Sequence, residues 1–154
     1  MNNFGDIVVG YDGSRGAKRA VEFAAAEAGA HQARLRIVSA WNSRPPAMAS
    51  MSPDVMSRIA VDRPRLAAER LEEAAALARD TAPDIEIETV AVEGGAAAEL
   101  TRASENCRML VVGSRGGIHG LFGSVSHHCA LHAHCPVLVV PALVDDRPPV
   151  HHAA

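Results

Sequence analysis

The sequence predicts an α/β protein, an open five-stranded parallel sheet with helices on both faces, and three observations carry that expectation. Five short apolar runs rich in β-branched residues recur: Ile7-Val8-Val9, Leu35 to Val38, Ile85 to Val92, Met109 to Val112 and Val137 to Val140. The first, fourth and fifth are continuous rather than alternating, the pattern of strands covered on both faces. Between the runs the apolar period changes to that of a helix, and strands alternating with helices imply parallel pairing through right-handed crossovers.

Each element has a local reason. After the first strand, Ser14 is a natural N-cap, Ala17, Ala20, Val21, Ala24 and Ala28 fall on one helical stripe, and Gly29 is a natural stop. The third strand sets Ile85, Ile87, Thr89 and Ala91 against Glu86, Glu88 and Val90, an alternation expected near a sheet edge. A second helix is expected to begin near Asp62 with Pro64 in its first turn. It carries Ala67, Leu71, Ala74 and Ala78 on one face and Glu69, Arg70, Glu72 and Glu73 largely on the other. A third, shorter helix follows Gly94-Gly95 and a fourth follows Gly123-Ser124. The stretch 42–60, with Pro45-Pro46, Pro53 and several methionines and serines, shows no period and reads as a mobile loop, either a lid or a plain insertion. Residues 145–154 read as a flexible tail, leaving one domain over 1–144.

Composition narrows the function classes. The 154 residues suffice for one domain with a core that needs no disulfide or metal. A net charge of −3 gives no electrostatic reason for a nucleic-acid or anionic-membrane partner. Aromatics make up only 3%, so Val, Ile, Leu and Ala must build the core. Neither a signal-peptide pattern nor an apolar run long enough to span a membrane is visible, so a cytoplasmic location is expected. Cys107, Cys129 and Cys135 are odd in number and lack C-x-x-C spacing, which fits reduced thiols packed as small apolar side chains.

The chemistry concentrates in one loop. From Val111 to Val125 a buried strand passes to a helix through Gly113, Gly116, Gly117, Gly120 and Gly123. Glycines let backbone amides approach a ligand, and a helix start at Gly123-Ser124 presents free N–H groups and a positive dipole end, so a phosphate is the expected occupant. The alternative is a tight strand-to-helix turn with Ser124 as an ordinary cap. No Lys-Ser/Thr pair follows the glycines, so the loop is not a Walker A motif. The dinucleotide fingerprint, which belongs after a first strand, is absent as well.

The spacing Gly113-x-x-Gly116, then Gly123-Ser124, before a helix leading to Cys135-Pro136-Val137-Leu138-Val139-Val140, resembles the nucleotide loop and last strand of universal stress proteins. The opening Ile7-Val8-Val9-Gly10-Tyr11-Asp12-Gly13-Ser14 is similar to the same family's first strand and turn, so the resemblance runs from Ile7 to about Pro141. It implies a flavodoxin-like, adenine nucleotide alpha hydrolase-like fold and an adenine-nucleotide-binding sensor or regulator in the stress response, with ATP as ligand and Mg2+ as its optional companion. By the same resemblance Asp12 and Gly10 face the adenosine and Ala40 the base. Val112 and Gly113 line the nucleotide, and Gly116, Gly123, Ser124 and Val125 gather round the phosphates. A turn or N-cap role remains the alternative for Asp12. ATP-binding members usually carry nine residues between the second glycine and the Gly-Ser pair, whereas only Gly117 to Phe122 intervene here. A homodimer through Val137 to Val140 is also expected, because that apolar strand is a hazardous edge if left exposed.

Other signals are weaker. His128 and His132 have the i, i+4 spacing of a two-imidazole metal site, but solvated or partner-facing histidines explain them without a ligand role, and no metal site is expected. No Ser-His-Asp order or carboxylate pair marks a catalytic centre. The expectation is a binding protein with at most slow ATP hydrolysis, or else a dimeric interaction protein that takes no nucleotide.

Overall fold

The computed structural model describes residues 5–43, 50–114 and 123–142. Gly116, most of the central glycine loop, residues 44–49 and the tail 145–154 lie outside them. The chain alternates β1 (Ile7–Gly10), α1 (Arg15–His31), β2 (Leu35–Trp41), α2 (Pro53–Thr81), β3 (Ile87–Glu93), α3 (Ala96–Ala103), β4 (Met109–Gly113), α4 (Ser124–His132) and β5 (Val137–Val140). The strands form one parallel sheet in the order β3-β2-β1-β4-β5. The order reverses at β1, so a crevice opens between the carboxyl ends of β1 and β4, the place where such sheets bind ligands.

Two cores flank the sheet. On one face Ile7, Val9, Leu35, Ile37 and Val111 pack against the alanine stripes of α1 and α2. On the other, Val8, Val38, Leu110 and Val112 meet Leu100 of α3 and Cys129 of α4. The continuous apolar runs are therefore explained: successive residues of β1 and β4 point into different cores, and both cores are apolar. Alanine lets the two helices of the first face pack closely, and Ala20, Ala24, Ala28, Ala74 and Ala78 are all fully buried.

Three elements differ from the expectation. α2 starts at Pro53, well ahead of Asp62, so residues 53–60 of the segment expected to be a loop are helical. Ser52 sits in the extended N-cap conformation with Pro53 at the first helical position, where a missing N–H costs nothing. Pro64 lies inside the helix rather than in its first turn. α1 runs past Gly29 to His31, and Gln32 takes the left-handed position (φ 53°), its N–H reaching Ala28 and Gly29 carbonyls. β3 is the sheet edge, as its alternation implies, but its two faces are divided differently. Ile87 packs on the α1/α2 side and Val90 and Val92 on the α3/α4 side, while Thr89 and Ala91 are exposed.

Candidate functional site

The crevice is built by turns that the sequence places at strand ends. After β1 the chain turns through Asp12 and Gly13, where a positive φ of 81° suits only glycine comfortably. The Asp12 Oδ1 accepts the Ser14 N–H at 2.9 Å, and the Ser14 Oγ accepts the Ala17 N–H at 3.2 Å, starting α1. Asp12 is thus a turn residue, and the turn also holds its carboxylate at the mouth of the crevice.

Opposite this turn, the end of β4 touches the start of α1 backbone to backbone. A β-carbon at Gly113 would lie 2.5 Å from the Gly16 carbonyl carbon and 2.7 Å from the Ala17 nitrogen. Gly10 is likewise fitted against Leu100, whose Cδ1 would meet a β-carbon there at 2.7 Å. α4 then begins with Gly123 as N-cap (φ −61°, ψ 160°), its carbonyl accepting both the His127 N–H and the Ser126 hydroxyl. The amides of the first turn have no acceptor within the helix, so this end carries partial positive charge.

These pieces enclose a cleft of about 170 Å³. Seven of the nine residues singled out in the sequence line it: Gly10, Asp12, Ala40, Val112, Gly113, Gly123 and Val125. Ser124 is exposed and is not among the lining residues, and Gly123, not Ser124, is the cap, which leaves the Ser124 backbone N–H at the start of the helix. Gly116 lies outside the described residues. A wider groove of about 630 Å³ adjoins the cleft, sharing Ala40, Arg70 and Ala96 and running along α2 past Trp41 and Leu66.

Sequence reasoning missed Tyr11, Arg70 and Leu100. Arg70, assigned to the outer face of α2, lines the cleft, with its Nε 3.4 Å from where a Gly13 β-carbon would sit. Tyr11 is buried, and its hydroxyl donates to Glu73 at 2.9 Å, while Lys18 pairs with the other Glu73 oxygen at 3.0 Å. Burial first, then the bond to Glu73, pushes the phenol well above its usual range. Lys18 first, then Tyr11, holds the Glu73 carboxyl below its usual value. The one available signal was that Arg70 follows Ala67 by three positions on the helix, placing it on the border of the buried stripe.

The cleft offers apolar walls, one carboxylate, one guanidinium and a helix N-terminus, a set suited to binding an anion attached to an apolar group. Among the described residues, no cluster of three or more His, Cys, Asp or Glu side chains is arranged to hold a metal ion. His128 and His132 do come together, with ring centroids 4.5 Å apart. No helix among the described residues is long and apolar enough to cross a membrane.

A parallel α/β sheet with its crevice at the strand-order reversal and a helix N-terminus across from it defines a protein of the Rossmann-like α/β class. The family model described as "Universal stress protein family" matches residues 3–141, and the chain belongs to that family. It is 34% identical over 142 residues to a universal stress protein of Thermus aquaticus, covering 89% of this chain and 98% of the relative. It is 35% identical over 143 residues to a universal stress protein of Mycobacterium tuberculosis, covering 90% of this chain and spanning about half (49%) of that relative's length. A solved universal stress protein in complex with cAMP is 28% identical and superposes with a TM-score of 0.68, over 91% of this chain and 98% of the other.

Proposed function

We propose that the protein binds an adenine nucleotide in this cleft and acts as a nucleotide-responsive regulator through contacts with a second copy or another protein. The observation that carries the proposal is the convergence of the β1 turn, the end of β4 and the N-terminus of α4 on one apolar-walled cleft. In this reading Asp12 accepts hydrogen bonds from the ribose or base, Ala40 leaves room for the base, and the amides of the α4 first turn receive the phosphates. Arg70 supplies a cation at the mouth. The cAMP-bound relative supports an adenine nucleotide as the ligand class. ATP is the proposed form, with Mg2+ on its outer phosphates, and Gly116 and Ser124 complete the phosphate loop.

In the same reading the protein regulates rather than catalyses: among the described residues lining the cleft, Asp12 is the one carboxylate, and it serves to bind. β5 is the sheet edge opposite β3, and its half-buried Val137, Leu138 and Val139 suit pairing with a second copy. One domain over 1–144, located in the cytoplasm, is part of the same reading.

Calorimetric titration with ATP, ADP and AMP tests it. The wild-type chain binds at least one of them, and Gly123→Val, whose φ of −61° admits any residue, weakens binding at least tenfold, about 1.4 kcal/mol. Wild-type protein that takes up no adenine nucleotide at millimolar concentration overturns the proposal.

A further inference from the structure

At the end of the sheet remote from the nucleotide cleft, two thiols lie in hydrogen-bonding contact. The Cys107 thiol donates to the Cys135 sulfur at 3.2 Å, and the Cys135 thiol turns to the Pro136 carbonyl at 3.4 Å. Each cysteine stands just before a strand: Cys107 ahead of β4 and Cys135 ahead of β5, which are paired neighbours. The segments carrying them are fixed to one another. Fully buried Ser104 accepts the His134 N–H at 2.9 Å, its carbonyl takes the Cys107 N–H at 3.4 Å, and the Leu110 N–H reaches the Pro136 carbonyl at 3.0 Å. Both cysteines are half-buried, whereas Cys129 is fully buried in α4.

We propose that Cys107 and Cys135 are a redox couple that hydrogen peroxide closes to an intramolecular disulfide and a dithiol reopens. A disulfide needs the sulfurs at about 2.05 Å, so a short approach along an existing contact suffices. The ordering of roles follows from their surroundings. Cys135 attacks one peroxide oxygen, the O–O bond breaks, and a Cys135 sulfenic acid and one water result. The Cys107 sulfur then attacks the Cys135 sulfur, displacing hydroxide, which takes the Cys107 proton and leaves as the second water. Two thiols lose two electrons and two protons, and peroxide gains them. Cys107 suits the resolving role because it already lies against the Cys135 sulfur at 3.2 Å, within reach of the sulfenic acid as it forms.

The bond would enclose all the chain from 107 to 135, which holds β4, the glycine loop and α4. Oxidation would therefore tie together both ends of the segment that brings Val112, Gly113, Gly123 and Val125 to the cleft.

The test treats the purified full chain with hydrogen peroxide, denatures it, labels free thiols with N-ethylmaleimide and reads the intact mass and a peptide map. Labelled thiols fall from three to one, the map joins the Cys107 and Cys135 peptides within one chain, and dithiothreitol restores all three. The melting temperature of the oxidised form rises on the order of 5–10 °C, as closing a loop of that length implies. Cys107→Ser stops at a Cys135 sulfenic acid that dimedone traps. The proposal is overturned if peroxide leaves three labelled thiols in the wild type, if Cys129 is the bonded partner, or if the bonds join separate chains. The peptide map uses the wild type alone, so it decides even where a variant fails to fold.

Discussion

Replacing glycine by alanine at half-buried Gly113 and at exposed Gly29 should change stability in opposite directions. At Gly113 the new methyl would sit 2.5 Å from the Gly16 carbonyl carbon and 2.7 Å from both the Gly16 oxygen and the Ala17 nitrogen. All three are backbone atoms, so no side chain can swing aside, and the first turn of α1 must move away from β4. Overpacking of this kind costs about 2–3 kcal/mol. At Gly29 the same methyl would meet the Ala82 β-carbon at 3.6 Å and Ile85 Cγ2 at 3.8 Å, ordinary contact, and the position is helical. There alanine stabilises by about 0.5–1 kcal/mol, because it loses less chain entropy on folding than glycine. Urea denaturation, comparing midpoints at constant slope, measures both. Gly16→Ala drives a methyl to 2.7 Å from the Ser114 carbonyl oxygen and demands the same separation. The double variant Gly16→Ala/Gly113→Ala should therefore cost less than the sum of its parts by about 1 kcal/mol. A Gly113→Ala midpoint equal to wild type would refute the close approach of α1 and β4.

Tyr11→Phe removes the hydroxyl that Glu73 accepts and should cost about 1 kcal/mol, read as a melting temperature lower by roughly 2–4 °C. Glu73 is half exposed, so its bonds to Lys18 and Tyr11 stabilise only modestly. Its carboxyl is held below the usual 4.5, so this contribution is present above that value and disappears as pH falls through the lower, folded-state value. The stability gap between wild type and Glu73→Gln should accordingly narrow on acidification, and a gap constant from neutral pH to about pH 3 would count against the ion pair. For the proposed dimer, Val139→Arg on β5 should convert it to monomer in sedimentation with the circular dichroism spectrum retained. Wild-type protein that sediments only as monomer at tens of micromolar, on the order of concentrations that reveal modest interfaces, removes that part of the reading.

Much of this architecture was legible because it rests on local chemistry. Short β-branched runs such as Ile7-Val8-Val9, bounded by Gly10 and the Asp12-Gly13 turn, have the length and composition of strands buried on both sides. Ser14 announces α1, and the edge position of β3 follows from its charged alternate residues. The start of α2 was obscure because residues 53–58 are exposed or only partly buried, so no apolar stripe marks them; Ser52-Pro53 was the available signal. Gly29 was read as a stop because a helical glycine looks like one, but Gln32 performs that role. Within the cleft, Asp12 and Gly113 were marked by the resemblance to the family's first turn and nucleotide loop. Tyr11 was not, and for Arg70 the spacing from Ala67 was only a faint mark, since both positions depend on how α2 packs across the sheet. The contact of Gly16 with Gly113 joins residues far apart in sequence, and nothing local to either records it.

The central claim is that an adenine nucleotide occupies the cleft at the carboxyl ends of β1, β2 and β4. The most direct measurement is an amide proton–nitrogen correlation spectrum of the labelled chain titrated with ATP and, separately, AMP. The account predicts shifts centred on the amides of Gly10, Asp12, Ala40, Gly113, Gly123 and Val125, with those of Cys107 and Cys135 at the far end of the sheet unmoved. Shifts confined to other surfaces, or none at millimolar nucleotide, would contradict it.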